Sequence, residues 1–203
     1  DKSTLLPRPI SICEVDREKN RLRIVYRRAG KGTGEFSDYK EGESIDILGT
    51  LGNGFPLEKA EGKKCFLMGG GIGIPPILQL AKELQTAGSE EVNIVAGYRN
   101  SDLFLSEDLK QYGRLFVATE DGSAGSKGNV MNAIEENDLK GEVIFACGPM
   151  PMLRAIKKFA EENEIEAYIS LEERMACGVG ACLGCVCKTV HKDEHSQVHN
   201  ARI

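Results

Sequence analysis

The chain has 203 residues, of which 41% are hydrophobic and 28% charged, and its formal net charge is −5. This length can bury the core of one large or two small domains, and the composition is ordinary for a globular protein. The negative charge argues against nucleic acid or an anionic membrane as a partner, and no apolar run reaches the roughly 20 residues that a membrane span needs. Cys13, Cys65 and Cys147 stand singly in apolar surroundings, which favours a reducing cytoplasm.

The first part of the chain consists of short strand-like runs without a long helix. The predicted elements are a hairpin of strands at residues 8–15 and 21–28, a short helix near 35–39, a strand at 44–48 and a glycine-rich turn at 49–56. This succession predicts a small antiparallel barrel, but the strands are too few to close it. We expect further barrel strands before Asp1, where the chain opens without an initiator methionine.

From Lys63 onward, short apolar runs alternate with segments of helical period. The predicted strands are 65–68, 92–97, 114–119, 143–147 and 165–171, and the predicted helices are 77–87, 105–112, 130–137 and 150–163. Such alternation predicts an α/β domain with a doubly wound parallel sheet. We therefore divide the chain into an incomplete barrel at residues 1–60, an α/β domain at 61–171 and a cysteine-rich C-terminal segment at 172–203.

A glycine-rich turn at residues 69–76 follows the first predicted strand of the α/β domain and precedes a helix. Gly70, Gly71 and Gly73 would let backbone N–H groups and the helix N-terminus approach a diphosphate. Pro75 suits a first helical turn, where no N–H is needed. The pattern predicts a dinucleotide site, although proline replaces the last glycine of the usual fingerprint. The alternative is a tight turn with a purely structural role.

Three further segments, at residues 97–99, 119–123 and 147–151, follow predicted strands, whose carboxyl ends bind ligands in open α/β sheets. In Cys147-Gly148-Pro149, the glycine would let a flat nicotinamide ring approach the backbone. The alternative is an ordinary helix start with an early proline. Glu120 and Asp121 would accept hydrogen bonds from ribose hydroxyls and repel a 2′-phosphate, which favours NAD over NADP. Acidic pairs are otherwise solvated surface charges.

A third candidate site lies in the predicted barrel, at Arg8, Ser11 and the Gly32-Thr33 turn. An arginine beside a small hydroxyl on a barrel strand can hold a flavin diphosphate, and the turn can donate backbone N–H groups. Arginine and serine on a strand are more often surface residues, so the residues alone leave both interpretations open.

The C-terminal segment contains Cys177, Cys182, Cys185 and Cys187. The first three have the spacing of a plant-type [2Fe-2S] cluster, and the glycines between them let the loop turn tightly around a metal. A zinc site is the alternative, but this loop has one Cys-x2-Cys pair where zinc ribbons have two. We expect Cys187 to be a core or neighbouring residue, because the chain extends into a strand there.

Together these motifs resemble the ferredoxin-reductase family, in which a flavin-binding barrel precedes an NAD-binding domain. The Arg8-Pro9-Ile10-Ser11 run resembles the family's Arg-x-x-Ser flavin motif, and residues 69–76 and 147–150 resemble its pyridine-nucleotide motifs. Within that family, essentially the whole chain is similar to the electron-transfer subunits of NAD-dependent (class 1B) dihydroorotate dehydrogenases. Their C-terminal [2Fe-2S] loop resembles residues 177–187, and residues 51–56 also match them.

The resemblance assigns site residues one by one. It assigns FAD to Arg8, Pro9, Ile10, Ser11, Val25, Tyr26, Arg27, Gly32 and Thr33. It assigns cluster ligation to Cys177, Cys182 and Cys185, and it places a fourth ligand beyond Ile203, after a polar hairpin that residues 188–203 resemble. It places Cys147 and Gly148 beside the nicotinamide of NAD.

The resemblance also implies a hetero-oligomer with two copies of each subunit. A separate FMN-containing catalytic subunit would oxidise dihydroorotate to orotate in pyrimidine biosynthesis, and electrons would pass through the [2Fe-2S] cluster and FAD to NAD⁺. No side chain of this chain is expected to be a catalytic acid or base. The alternatives are a related FAD and iron–sulfur subunit of an NADH-dependent ferredoxin:NADP reductase or of a sulfide dehydrogenase, and a redox-sensing, nucleotide-binding regulator.

Overall fold

The computed structural model describes residue 4, residues 6–192 and residues 198–202. Its elements in chain order are β1 Ile12–Asp16, β2 Arg21–Ile24, α1 Lys31–Phe36, β3 Lys64–Gly70, α2 Ile74–Thr86, β4 Glu91–Tyr98, α3 Ser106–Leu109, β5 Arg114–Thr119, β6 Ser126–Lys127, α4 Val130–Glu136, β7 Val143–Cys147, α5 Met150–Glu162, β8 Glu166–Ser170, β9 Val186–Lys188 and β10 Asn200–Arg202. They form two compact units. The first unit comprises the described residues of Asp1–Ile10, Tyr26–Gly54 and Glu172–Ile203, and the second comprises Ser11–Val25 and Phe55–Leu171.

The second unit is built on a six-stranded parallel sheet with the order β6-β5-β4-β3-β7-β8. The chain runs outward from β3 through β4, β5 and β6, then returns to the other side of β3 to form β7 and β8. This arrangement confirms the predicted doubly wound sheet, since strands that alternate with helices pair in parallel. The two-residue strand β6 was not predicted from the sequence.

Helices cover both faces of this sheet because successive side chains of a buried strand point to opposite faces. In β3, Leu67 packs on the face covered by α2, whose apolar side chains include Ile77. The neighbouring Phe66 packs on the opposite face, against a core to which α4 contributes Ile134 and α5 contributes Ile156. The strands therefore lack a polar face, which explains their continuous apolar runs. No helix among the described residues is long and apolar enough to cross a membrane.

The predicted hairpin is present, with β1 and β2 antiparallel, although both strands are shorter than predicted. It packs on α2, where the Val15 N–H donates to Gln79 Oε1 (2.8 Å) and Lys82 Nζ donates to the Val15 carbonyl (2.9 Å). Arg23 also pairs with Asp108 at 3.0 Å. Contacts thus group the hairpin with the parallel sheet, whereas the sequence places it in the barrel. The predicted domain bounds, 1–60, 61–171 and 172–203, stay a prediction.

In the first unit, the strand expected at residues 44–48 is wrong. Those residues are irregular, and Ile47 is 66% exposed. A strand requires a partner for its N–H and C=O groups, and none of the described strands pairs with this segment. The predicted short helix begins earlier, as α1. Near the C-terminus, β9 and β10 form an antiparallel pair in which Cys187 lies opposite Ala201.

Candidate functional site

Two of the predicted dinucleotide-binding segments, residues 69–76 and 147–149, meet at the point where the sheet's strand order reverses. β3 and β7 are neighbours, and Gly69 of β3 pairs with Cys147 of β7 at the end of their ladder. The turns that follow these two strands therefore leave the same edge of the sheet side by side. In open α/β sheets, ligands bind in the crevice at such a switch point, outside the carboxyl ends of the strands.

The two turns touch through their backbones. A Cβ at Gly73 would overlap the carbonyl group of Cys147 and lie 2.6 Å from the nitrogen of Gly148. A Cβ at Gly148 would in turn lie 3.1 Å from the nitrogen of Gly70. Real Cβ contacts are not as short as those at Gly73, so only glycine fits there without a shift of the backbone, and the backbone contact at Gly148 is tighter than most. The structure thus brings together Gly70, Gly73, Cys147 and Gly148, as the sequence predicted.

Gly71 differs from these crowded glycines. Its φ is +52°, and a Cβ placed on it would meet nothing within 4 Å. The positive φ favours glycine, and the open space above it leaves the backbone accessible to a ligand. Four residues later, Pro75 is buried in the first turn of α2, where its missing N–H costs the helix no hydrogen bond. This bare, accessible backbone at a helix start fits a diphosphate group.

The predicted ribose acceptors lie at the carboxyl end of β5. Glu120 is exposed, and its carboxylate has no hydrogen-bond or ion-pair partner among the described residues. Asp121 Oδ1 accepts hydrogen bonds from the Ser123 hydroxyl (2.6 Å) and the Ser123 N–H (2.9 Å). The hydroxyl of Ser123 holds the pKa of the Asp121 carboxyl below its usual value. Asp121 therefore shapes the turn, while Glu120 presents its carboxylate to solvent.

The backbone of β4 supports this acidic turn. The Glu120 N–H donates to the Tyr98 carbonyl (3.1 Å), and the Tyr98 hydroxyl donates to the Phe104 carbonyl (2.9 Å). Tyr98 is 5% exposed, and burial raises the pKa of its phenol to about 12. Tyr98 and Ser123 lie in segments that were predicted to follow strands, but their roles were not predicted, although the Asp-Gly-Ser sequence signals a side-chain-capped turn.

The residues assigned to FAD are divided between the two units. In the first unit, the Arg8 guanidinium lies on Gly32, where a Cβ would be 2.5 Å from Arg8 Nε. Thr33 Oγ1 accepts hydrogen bonds from the N–H groups of Ala29 (2.9 Å) and Gly30 (3.1 Å). Gly32 and Thr33 lie in the first turn of α1 and not in the loop turn that was predicted, and a planar cation beside this helical turn fits an anionic diphosphate.

The other residues assigned to FAD are placed as follows. Pro9, Ile10, Tyr26 and Arg27 also belong to the first unit, whereas Ser11 and Val25 belong to the second. Tyr26 packs its ring edge-on against Phe36 of α1, with ring centroids 5.8 Å apart. Arg27 and Ser11 are exposed, so both side chains are accessible.

The cysteine loop at residues 177–187 lies in the first unit. The Cys182 N–H donates to Cys177 Sγ (3.4 Å), and this bond is the main cause that lowers the pKa of the Cys177 thiol to about 6. Cys182 is exposed and Cys185 is 7% exposed. N–H groups aimed at a sulfur and a stabilised thiolate are the chemistry that a metal-ligating cysteine needs, so the donor set fits a cluster. Within the described residues, no three Cys, His, Asp or Glu side chains converge as a metal-binding group.

The two domain models that match the chain agree with these sites. Residues 172–201 match the iron-sulfur cluster binding domain of dihydroorotate dehydrogenase B, and residues 67–158 match the oxidoreductase NAD-binding domain. The dihydroorotate dehydrogenase B (NAD(+)) electron transfer subunit of Bacillus caldolyticus is 45% identical over 184 residues, which are 90% of this chain and 71% of that subunit. The subunit of Bacillus cereus (strain B4264) is 45% identical over 198 residues, or 97% and 74% of the two chains.

Solved structures show the same fold. A structure of the NADH-dependent reduced ferredoxin-NADP oxidoreductase has a TM-score of 0.81 and 29% identity, and it covers 96% of this chain and 71% of its own. The flavohemoglobin of Malassezia yamatoensis with bound FAD and heme has a TM-score of 0.56 and 21% identity over 76% of this chain and 45% of its own, which shows likeness in fold alone. The predicted ferredoxin-reductase-like fold is confirmed. With the curated relatives at 45% identity over most of its length, the chain belongs to the family of electron-transfer subunits of NAD-dependent dihydroorotate dehydrogenase B.

Proposed function

We propose that this chain carries electrons from a dihydroorotate-oxidising catalytic subunit to NAD⁺, by way of a [2Fe-2S] cluster and FAD. Two glycine turns meet at the switch point of the sheet, and we call the space beside them the cleft. The observation that carries the proposal is that the same chain also contains a cluster-type cysteine loop. A nucleotide site alone would suit many enzymes, and a cysteine loop alone would suit many ferredoxin-like proteins. Their combination in one chain suits an exchange between one-electron and two-electron carriers.

The cleft residues bind and orient the dinucleotide. Gly70, Gly71 and Gly73 would hold the diphosphate by their exposed backbone, and Cys147, Gly148 and Pro149 would form the floor beneath the nicotinamide. Glu120 would accept hydrogen bonds from the adenine ribose and repel a 2′-phosphate, while Asp121 holds the turn in place. This set of contacts favours NAD over NADP.

Cofactor binding is assigned to the residues described above. Arg8 would hold the FAD diphosphate together with Gly32 and Thr33 of α1. The rest of FAD would contact Pro9, Ile10, Ser11, Val25, Tyr26 and Arg27. Cys177, Cys182 and Cys185 would ligate the cluster. Cys187 is held opposite Ala201 in the β9–β10 pair, which supports a role beside the cluster and not in it. When bound, the cluster carries single electrons and the flavin exchanges a hydride with the nicotinamide.

The partner in this proposal is an FMN-containing catalytic subunit, with two copies of each chain in the complex. The family name supplies the electron-transfer role, which requires a partner that oxidises the substrate. The proposed cytoplasmic location agrees with the isolated buried thiols of Cys13 and Cys65.

Anaerobic reconstitution tests the proposal. The chain, loaded with FAD, iron and inorganic sulfide, is mixed with the catalytic subunit, dihydroorotate and NAD⁺, and NADH is followed by its absorbance. We expect NADH from the wild type, little from Cys182→Ser, and near-normal formation from Cys65→Ser, a matched substitution of a buried cysteine on β3. Absence of NADH from the wild-type complex would falsify the proposal.

A second candidate is a subunit of an NADH-dependent ferredoxin:NADP reductase, which the TM-score of 0.81 favours. Glu120 counts against it if the cleft must accept NADP, because a carboxylate repels the 2′-phosphate. An assay with reduced ferredoxin, NADH and NADP⁺ in place of dihydroorotate and NAD⁺ separates the two candidates.

A further inference from the structure

Met152 lies across both glycine turns of the cleft. It is a half-buried residue in the first turn of α5. A Cβ at Gly70 would lie 2.6 Å from its Sδ, and a Cβ at Gly148 would lie 2.5 Å from its Cε. The thioether therefore occupies the space beside two bare backbone segments at once. None of the assignments above gives this side chain a role.

The position of this contact matters because it lies beyond the end of the strand ladder. The hydrogen-bonded pairing of β3 with β7 stops at Gly69 and Cys147, and past this pair the turns meet through glycine backbones. Gly70 is paired with Gly97 of β4 on its other side, whereas Gly148 lies outside the β3–β7 ladder, so packing sets the separation between Gly148 and Gly70. A side chain wedged against both turns fixes it. Methionine suits such an irregular gap because it is unbranched and polarisable.

We propose that Met152 is a positioning residue for the dinucleotide, which fixes the separation between the diphosphate-binding turn and the nicotinamide-binding turn by contacting Gly70 and Gly148 together. This inference rests on the proposed function, in which NAD⁺ spans the two turns. A ligand that needs both turns at once is sensitive to their separation. A ligand that needs only the first turn is not, and ADP-ribose, which lacks the nicotinamide, is such a ligand.

The test compares the affinities of NAD⁺ and ADP-ribose for the complex with its catalytic subunit, measured by calorimetric titration. In Met152→Ala we expect roughly a tenfold loss of NAD⁺ affinity, since small misplacements of a bound substrate have large effects, with ADP-ribose affinity unchanged. Met152→Leu, which keeps most of the side-chain volume, should restore NAD⁺ affinity. Met131→Ala is the matched control, because Met131 is a half-buried methionine of α4 that packs on the same core. Met152→Val provides the same comparison if Met152→Ala does not fold.

Three results would overturn the inference: unchanged NAD⁺ affinity in Met152→Ala, an equal loss for both ligands, or an equal loss in Met131→Ala. NADH formation from dihydroorotate is measured on the same preparations. A wild-type complex that binds NAD⁺ but forms no NADH refutes the proposed function, and the titrations still decide the role of Met152. A wild-type complex that does not bind NAD⁺ refutes both.

Discussion

Gly73 joins the diphosphate-binding turn to α2 and lies against the backbone of the neighbouring turn. Its φ of −79° and ψ of −8° are ordinary right-handed values, so alanine would carry no backbone strain there. The Cβ of that alanine, however, would overlap the Cys147 carbonyl group and lie 2.6 Å from Gly148 N. Because the obstacle is backbone at the end of a buried strand, it cannot rotate away as a flexible side chain can. We predict that Gly73→Ala forces the two turns apart.

The magnitude follows from the kind of clash. Overpacking costs about 1–3 kcal/mol, and a clash of the new Cβ with the backbone of Cys147 and Gly148 belongs at the upper end of that range. In a protein of this size each kcal/mol lowers Tm by about 2–4 °C, so a fall of about 6–12 °C is expected. The affinity for NAD⁺ should also fall, by roughly tenfold or more, because the same movement separates the two sides of its cleft.

Thermal unfolding followed by circular dichroism, together with NAD⁺ titration, measures both effects. Gly54→Ala is the matched control, since a Cβ there meets nothing within 4 Å and its φ is not positive. A Tm for Gly73→Ala within about 1 °C of this control would refute the packing argument, because it corresponds to less than about 0.5 kcal/mol. A lowered Tm with unchanged NAD⁺ affinity would refute the link between this contact and the cleft.

Three further changes test other parts of the site. Glu120→Gln should lower NAD⁺ affinity about tenfold and reduce the preference for NAD⁺ over NADP⁺, because hydrogen bonds to a charged group contribute about 1.5–3 kcal/mol. Steady-state kinetics with both nucleotides measure these two effects. An equal effect from Asp121→Asn, whose oxygen already accepts hydrogen bonds from Ser123, would contradict the role of Glu120. The raised pKa of Tyr98, about 12, means that its contribution to stability is complete below about pH 10 and is lost as pH rises towards 12. Titration of tyrosinate absorbance should show a group that ionises near pH 12 and that Tyr98→Phe removes, and identical curves would count against the burial of Tyr98. Cys185→Ser should lose iron while Cys187→Ser keeps it, and loss of iron in both variants would make Cys187 a ligand.

Local patterns in the sequence were enough to predict most of the second unit. The central strands β3 and β7 are buried on both faces, so each contains a continuous apolar run, and β5 and β7 begin and end at the predicted residues. The glycine turn and the Cys147-Gly148-Pro149 turn were also found this way, because both require residue types that few other local structures need. Strong local constraints leave a strong local signal.

Features that depend on distant partners were not predictable in the same way. Residues 44–48 have the composition of a strand but pair with no strand among the described residues, and composition alone cannot reveal a missing partner. The contact of Met152 with Gly70 and Gly148 joins residues about 80 positions apart, and nothing near Met152 in the sequence marks it. Met152 lies in the first turn of a helix that follows a glycine-proline pair. Its position indicates a contact with Gly70 only when β3 and β7 are known to be neighbours.

The order of strands in the sheet, more than the order of residues in the chain, explains how these turns can serve one ligand. Along the chain the three segments occur as Gly70, then Glu120, then Gly148, but across the sheet they occur in the order β7, β3 and β5, with β4 between the last two. The turns proposed to bind the nicotinamide and the diphosphate, and the carboxylate proposed to bind the ribose, therefore follow one another along one edge, in the same order as the chemical groups of the dinucleotide. Three strand spacings separate β7 from β5, or about 15 Å, a distance that an extended dinucleotide spans. The return of the chain across β3 produces this order, because without it Gly148 would lie beyond Glu120 and a dinucleotide bound at Gly71 could not reach both.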